Sequence, residues 1–161
     1  MASDTQRITL EDYFGPFWGR GEDTPEMRDT ATRLLSAVNR ALDAALADGV
    51  ALMLNPKTGS YVSGEGNGGF RGRASAVGPS GSKHRSAHAI DIYDPLRLFA
   101  RWCLRNEARF RTLGIAGMER PEWTPTWTHL QDLPVRSGTW CFVPADTAPL
   151  AGALPEQEGA A

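Results

Sequence analysis

The segment Ala89-Ile90-Asp91-Ile92-Tyr93 alternates with the period of two that marks a strand, Ile90 and Ile92 on one face and Ala89, Asp91 and Tyr93 on the other. The preceding Gly78-Pro79-Ser80-Gly81 is a loop signal, so a helix through this stretch is disfavoured. An aspartate directed inward from such a strand is costly unless it is paired or binds a metal. From these residues alone two readings stand side by side: Asp91 is hydrogen-bonded at a strand edge, or it is a metal ligand.

The chain has three histidines, at 84, 88 and 129. His84 and His129 together with Asp91 form a set of two imidazoles and one carboxylate, which suits a catalytic zinc held by three protein ligands with a fourth position left for water. His84 and His88 are spaced i, i+4, as in the helical zincin motif, but that motif needs Glu directly after the first His, and Arg85 stands there. His88 is therefore left outside the set and reads as a partly exposed strand or loop histidine, or as a group that orients a ligand from behind.

At these residues the chain resembles a known family. Ser82, His84, Ala89 and Asp91 match a Ser-x-His-x-x-Gly-x-Ala-x-Asp motif, and Trp127 with His129 matches a later Trp-x-His. Both motifs are similar to those of the zinc D-alanyl-D-alanine carboxypeptidases and L,D-endopeptidases of the VanX and VanY type, which include phage endolysins. The resemblance runs from about Phe70 to Pro144. It implies a hedgehog or D-Ala-D-Ala peptidase-like fold, zinc held by His84, Asp91 and His129, and a cell-wall (peptidoglycan) peptide as substrate.

Three positions depart from the family pattern. Ala87 replaces the family glycine, a change that matters if the backbone there needs positive φ. Many members carry the catalytic glutamate three residues before the last histidine, where this chain has Thr126. The resemblance to members with a longer preceding segment moves the general base to Glu119, with Glu122 as second choice. Third, Phe70 stands where the family has tyrosine, and the register admits Arg71 or Arg73 as the substrate-binding arginine, with Arg71 preferred and Ser82 hydrogen-bonding beside it.

The chemistry accounts for this combination. Zinc acidifies water and polarises a scissile carbonyl, while a carboxylate takes the water's proton and passes it to the leaving amine. A substrate ending in a carboxylate calls for the planar, bidentate fork of arginine. A second reading, favoured by the lack of Glu at position 126, is a non-catalytic relative, for instance a phage structural or wall-binding protein that kept the zinc for stability.

The remaining sequence reads as scaffold. Thr24-Pro25-Glu26 is a helix start, and Leu34, Leu35, Val38, Leu42, Ala45 and Leu46 form an apolar stripe ending at Gly49. Val50 to Leu54 reads as a buried strand followed by a turn at Asn55-Pro56-Lys57-Thr58-Gly59. A glycine-rich stretch from Gly64 to Gly81 reads as a mobile substrate-binding loop. A second helix is expected from Asp94-Pro95 to Gly114, carrying Leu96, Phe99, Trp102, Cys103 and Phe110, with strands following at about 126–131 and 139–143. Trp102 and Trp140 read as core, and Trp123 and Trp127 as packing residues that also suit a groove wall.

These elements predict an α+β domain over 1–144, a small, mostly antiparallel sheet carrying the zinc site and flanked by helices, with a flexible tail over 145–161 rich in Ala, Pro and Gly. A length of 161 residues suffices for one domain with its own core, and a net charge of −2 without a basic stripe gives no reason to expect nucleic-acid or membrane binding. Cys103 and Cys141 are expected as free thiols. The opening Met1-Ala2-Ser3-Asp4-Thr5-Gln6-Arg7 lacks the apolar core of a signal peptide. The expectation is a product made in the cytoplasm that would reach the cell wall by a separate route, such as phage release or carriage in a virion.

Overall fold

A computed structural model describes residues 7–75 and 81–144. The glycine-rich stretch is therefore described only up to Ser75, and the expected tail lies outside the described residues. Helix α1 (Leu10–Phe14) is opened by a capping box in which the Thr9 hydroxyl accepts from Asp12 N and the Asp12 carboxylate accepts from Thr9 N. Helix α2 (Pro25–Ala47) begins with Thr24 as N-cap and Pro25 in the first turn, and the chain leaves it through Gly49 at φ 84°. Its face of Ala31, Leu34, Val38, Ala41, Leu42 and Ala45 is fully buried, at the i, i+3, i+4, i+7 spacing of one helix side. Each of the larger side chains contributes about 1.5–3 kcal/mol through that burial.

The sheet consists of β1 (Ala89–Tyr93), β2 (Gly117–Glu119), β3 (Trp127–Gln131) and β4 (Cys141–Phe142), in the order β1-β3-β2-β4. β1 and β2 both pair antiparallel to β3, while β4 joins β2 in parallel, so the sheet is mixed. The architecture is α+β, a small sheet flanked by helices. Ile90, Ile92, Met118 and Leu130 point to one face and are buried in a single core with α2 and the following helices, and Thr128 is buried on the same face. The opposite face carries Asp91, His129 and Gln131.

Helix formation after β1 differs from the expected single segment. The helix starts at Leu98, because Arg97 adopts a left-handed conformation (φ 57°) that turns the chain out of the strand, and it breaks at Asn106 (φ −124°) into α3 (Leu98–Arg105) and α4 (Glu107–Leu113). Asp94 still caps it, accepting from Phe99 N (3.1 Å), Ala100 N (2.8 Å) and the Thr128 hydroxyl (2.9 Å). The break aims both halves at one aromatic cluster: Phe99 and Phe110 each pack on Trp102, and Phe110 on Trp140. The indole N–H groups are satisfied, Trp102 by Asp48 and Trp140 by the Ile115 carbonyl.

Residues 50–54 form no strand, and Met53 and Leu54 are exposed at 41% and 55%. The free edge of β1 is occupied by another segment. Val62 bridges Ile92, Ser63 N donates to Asp91 O (2.8 Å), Tyr93 N to Tyr61 O (2.8 Å) and Asp91 N to Gly68 O (2.7 Å). The turn at 55–59 does form, organised by buried Asn55, whose backbone accepts from Gly59 N and whose amide donates to Val62 O and Gly64 O. The strand expected over 139–143 contracts to Cys141–Phe142, and β2 is a short strand that the sequence pattern does not predict. Cys103 and Cys141 are free, the first buried and the second half-buried. Among the described residues no helix is long and apolar enough to cross a membrane.

Candidate metal centre

Sheet register builds the site. Asp91 lies directly opposite His129, and the antiparallel pairing of β2 with β3 (Gly117 with Gln131, Met118 with Leu130) carried one residue further sets Glu119 opposite His129 on its other side. Directly opposed residues share a face. Asp91, His129 and Glu119 thus form one row across three strands, which ends against Phe142, paired with Glu119 and set edge-on to the His129 ring.

His84 reaches this row from outside the sheet. It sits in a short 3-10 turn, Lys83–Ser86, whose N-cap is Ser82, the Ser82 hydroxyl oxygen accepting from His84 N at 3.4 Å. The turn is closed by Ala87 in the left-handed region, φ 61° and ψ 29°. With Ala87 turned this way, the chain passes from the turn into β1 in two residues, which brings His84 back over Asp91.

Three donor atoms converge. His84 Nε2 lies 3.3 Å from His129 Nδ1 and 3.3 Å from Asp91 Oδ1, and His129 Nδ1 lies 2.9 Å from Asp91 Oδ1. All three residues are buried, and among the described residues they form the group of metal-ligating side chains close enough to hold an ion. Donor atoms bonded to one ion at about 2.0–2.1 Å and tetrahedral angles sit roughly 3.3–3.4 Å from each other; the two separations from His84 match, and the His129–Asp91 pair, 2.9 Å apart as a hydrogen bond, would open by about 0.4 Å around an ion.

The outward ring nitrogens are committed elsewhere: His84 Nδ1 donates to Gly69 O (2.7 Å) and His129 Nε2 contacts Gln131 Oε1 (3.2 Å). Facing inward, His129 Nδ1 donates to Asp91 Oδ1 (2.9 Å) and His84 Nε2 lies 3.3 Å from both, an arrangement in which a cation could replace the shared proton. The residues present fit a divalent metal, and the buried His84, Asp91 and His129 group could bind one.

Electrostatics follow the same geometry. Burial pushes His84 below its ordinary value despite the nearby Asp91. Burial acts on His129 in the same sense, but its hydrogen bond to Asp91 and the carboxylates of Asp91 and Glu119 outweigh it, and His129 is raised. Although the two imidazoles share one carboxylate, they move in opposite directions. Burial alone would raise Asp91, yet the two imidazoles hold it well below the usual carboxylate range. Glu119 is raised, chiefly by burial, and among the described residues its carboxylate makes no hydrogen bond. Glu122 is exposed and pairs with Arg120 instead, and Thr126 is exposed at the strand entrance.

Arg71 is at the site and Arg73 is not. Arg71 Nη2 binds Asp91 Oδ2 (3.0 Å) and its Nε donates to Asn67 O (2.8 Å), leaving Nη1 without a partner among the described residues. Arg73 is exposed, its backbone N–H on Glu22. The glycine-rich stretch is packed closely where it is described: a Cβ on Gly69 would lie 2.0 Å from Tyr13 O, and one on Gly68 2.1 Å from Ser63 O. His88 stands apart, its Nδ1 2.7 Å from Asp132 Oδ1. Trp127 is half-buried beside Tyr93 in the first strand pair.

Sequence reasoning missed Gln131, the Gly69 carbonyl and Tyr13, whose hydroxyl donates to Ala89 O (3.0 Å). Of these only Gln131 carried a signal, its i+2 spacing from His129 on the same strand face. Searches with models of known protein families, among characterised proteins and among solved structures found no match to this chain.

Proposed function

We propose that the chain is a zinc-dependent peptidase acting on bacterial cell-wall peptides, as a D,D-carboxypeptidase or an endolysin-type endopeptidase. The observation that carries this reading is the cross-strand row in which Glu119 flanks His129 opposite Asp91, with His84 closing the ligand set. A purely structural metal site needs no additional carboxylate that is half-buried and, among the described residues, free of hydrogen bonds. The position of Ala87 supports the family resemblance, because the residue standing for the family glycine has a positive φ of 61°.

His84 Nε2, Asp91 and His129 Nδ1 would hold zinc, which would supply Lewis acidity toward water and a peptide carbonyl. The chain's own groups do the rest. Glu119 accepts the proton of the attacking water and delivers it to the leaving amine. Its carboxylate, made more basic by burial, is suited to both transfers. Arg71 orients Asp91 through one arm and offers its remaining Nη1 to a substrate carboxylate, while Ser82 shapes the turn that carries His84.

Mass spectrometry of defined cell-wall peptides incubated with zinc-loaded protein, with and without chelator, tests the proposal. Chelator-sensitive loss of one terminal alanine identifies a carboxypeptidase, and an internal cut an endopeptidase. Intact peptides after incubation with protein that holds zinc overturn the enzymatic reading and leave a domain that uses the ion for stability.

A further inference from the structure

We propose that Gln131 is a positioning residue that selects the ring nitrogen through which His129 holds the metal. The inference rests on the metal reading given above. A neutral imidazole has one protonated and one lone-pair nitrogen, and the partner of the first determines which is left to bind an ion. For His84 the partner is the Gly69 carbonyl, a backbone acceptor that cannot change. For His129 it is the side-chain oxygen of Gln131, 3.2 Å from Nε2.

An amide is useful here only if it presents oxygen and not nitrogen to the ring. The fold enforces that choice, because the Gln131 NH2 group donates to Leu133 O, which accepts and never donates. The amide is thereby turned with Oε1 toward His129 and accepts the Nε2 proton, which leaves Nδ1, the nitrogen that donates to Asp91 Oδ1 in the metal-free chain, as the one that exchanges its proton for an ion beside His84 Nε2. Gln131 is buried at 1% exposure, so water does not compete for either bond. Its position follows from the strand period: residue 131 lies on the same face as residue 129 and beneath its ring.

Gln131→Met keeps side-chain length and removes both the acceptor and the donor. The expected result is a folded protein, with wild-type circular dichroism, whose zinc affinity measured by competition with a chromophoric chelator falls about 10–100-fold, the usual cost of removing a group that orients a histidine ligand. Unchanged zinc affinity in folded Gln131→Met overturns the proposal. A second measurement needs no variant: long-range proton–nitrogen NMR of wild-type protein reports which nitrogen of His129 is protonated. A proton on Nε2 is expected in the zinc-bound protein, with Nδ1 on the ion. A proton on Nδ1 in the zinc-bound protein overturns the proposal. If wild-type protein takes up no zinc, the metal reading fails and this inference with it, whereas zinc uptake that Gln131→Met leaves unchanged overturns this inference alone.

Discussion

Replacing Gly69 by alanine should damage the fold and the metal centre together. The added Cβ would lie 2.0 Å from Tyr13 O and 2.8 Å from Tyr13 C, both backbone atoms. Ordinary contact is about 3.5 Å, so the two segments would have to separate by roughly 1.5 Å. The Phe70 N–H bond to Tyr13 O, now 2.9 Å, would not survive that movement. Losing a buried hydrogen bond and leaving its partners unpaired costs about 1–3 kcal/mol, and overpacking a tight interior costs about 1–3 kcal/mol more. The sum, about 2–6 kcal/mol, is a large part of the roughly 5–15 kcal/mol by which a domain is stable. The same shift carries the Gly69 carbonyl away from His84 Nδ1, so zinc affinity should fall about 10–100-fold as well. Urea denaturation monitored by tryptophan fluorescence measures the first effect and chelator competition the second. Gly81→Ala, where a Cβ meets nothing within 4 Å, is the control and should stay within about 0.5 kcal/mol of wild type. A Gly69→Ala protein as stable as that control would refute the reasoning.

Glu119→Gln should bind zinc as wild type does while peptide cleavage drops about 10²–10⁴-fold; substantial turnover by this variant would remove Glu119 from the mechanism. His84→Ala and Asp91→Ala should lose zinc and activity together. Zinc at a hundred times its dissociation constant should raise wild-type stability by about 2.7 kcal/mol, an increment that His84→Ala should not show in thermal melts. Away from the site, Asp23 is held down to about 2 by the Gly19 N–H and then by Arg28, which pairs with it. A depressed carboxyl stabilises above its unfolded value of about 3.9, and that contribution is lost as pH falls towards 2. The difference in melting temperature between wild type and Asp23→Asn should therefore be constant near neutrality and shrink through this acid window; a difference that persists to the bottom of it would show that the carboxylate's charge is not what stabilises.

Helix α2, strands β1 and β3 and the turn at 55–59 were legible because each is set by neighbours in sequence: a Thr-Pro start and an apolar stripe, a period of two, an Asn-Pro turn. The cluster of His84, Asp91 and His129, which could bind a metal, was readable for a similar reason, since histidine is scarce here and Asp91 interrupts an apolar strand. What the sequence could not show depended on distant partners. Residues 50–54 have strand composition, but residues 61–63 hold the edge of β1, so the apolar run stays outside the sheet. Strand β2 has only three residues and exists because β3 and β4 flank it.

The choice of Glu119 over Glu122, and of Arg71 over Arg73, follows the same division. In sequence each pair differs by a few positions. In the folded chain the register of β2 against β3 sets Glu119 in the row with His129, while Glu122 falls in the exposed segment beyond the strand and pairs with Arg120. Sequence determined which residue types were present to bind a metal; pairing between strands far apart in the chain decided which of them share a face, because register is a property of two strands and not of one.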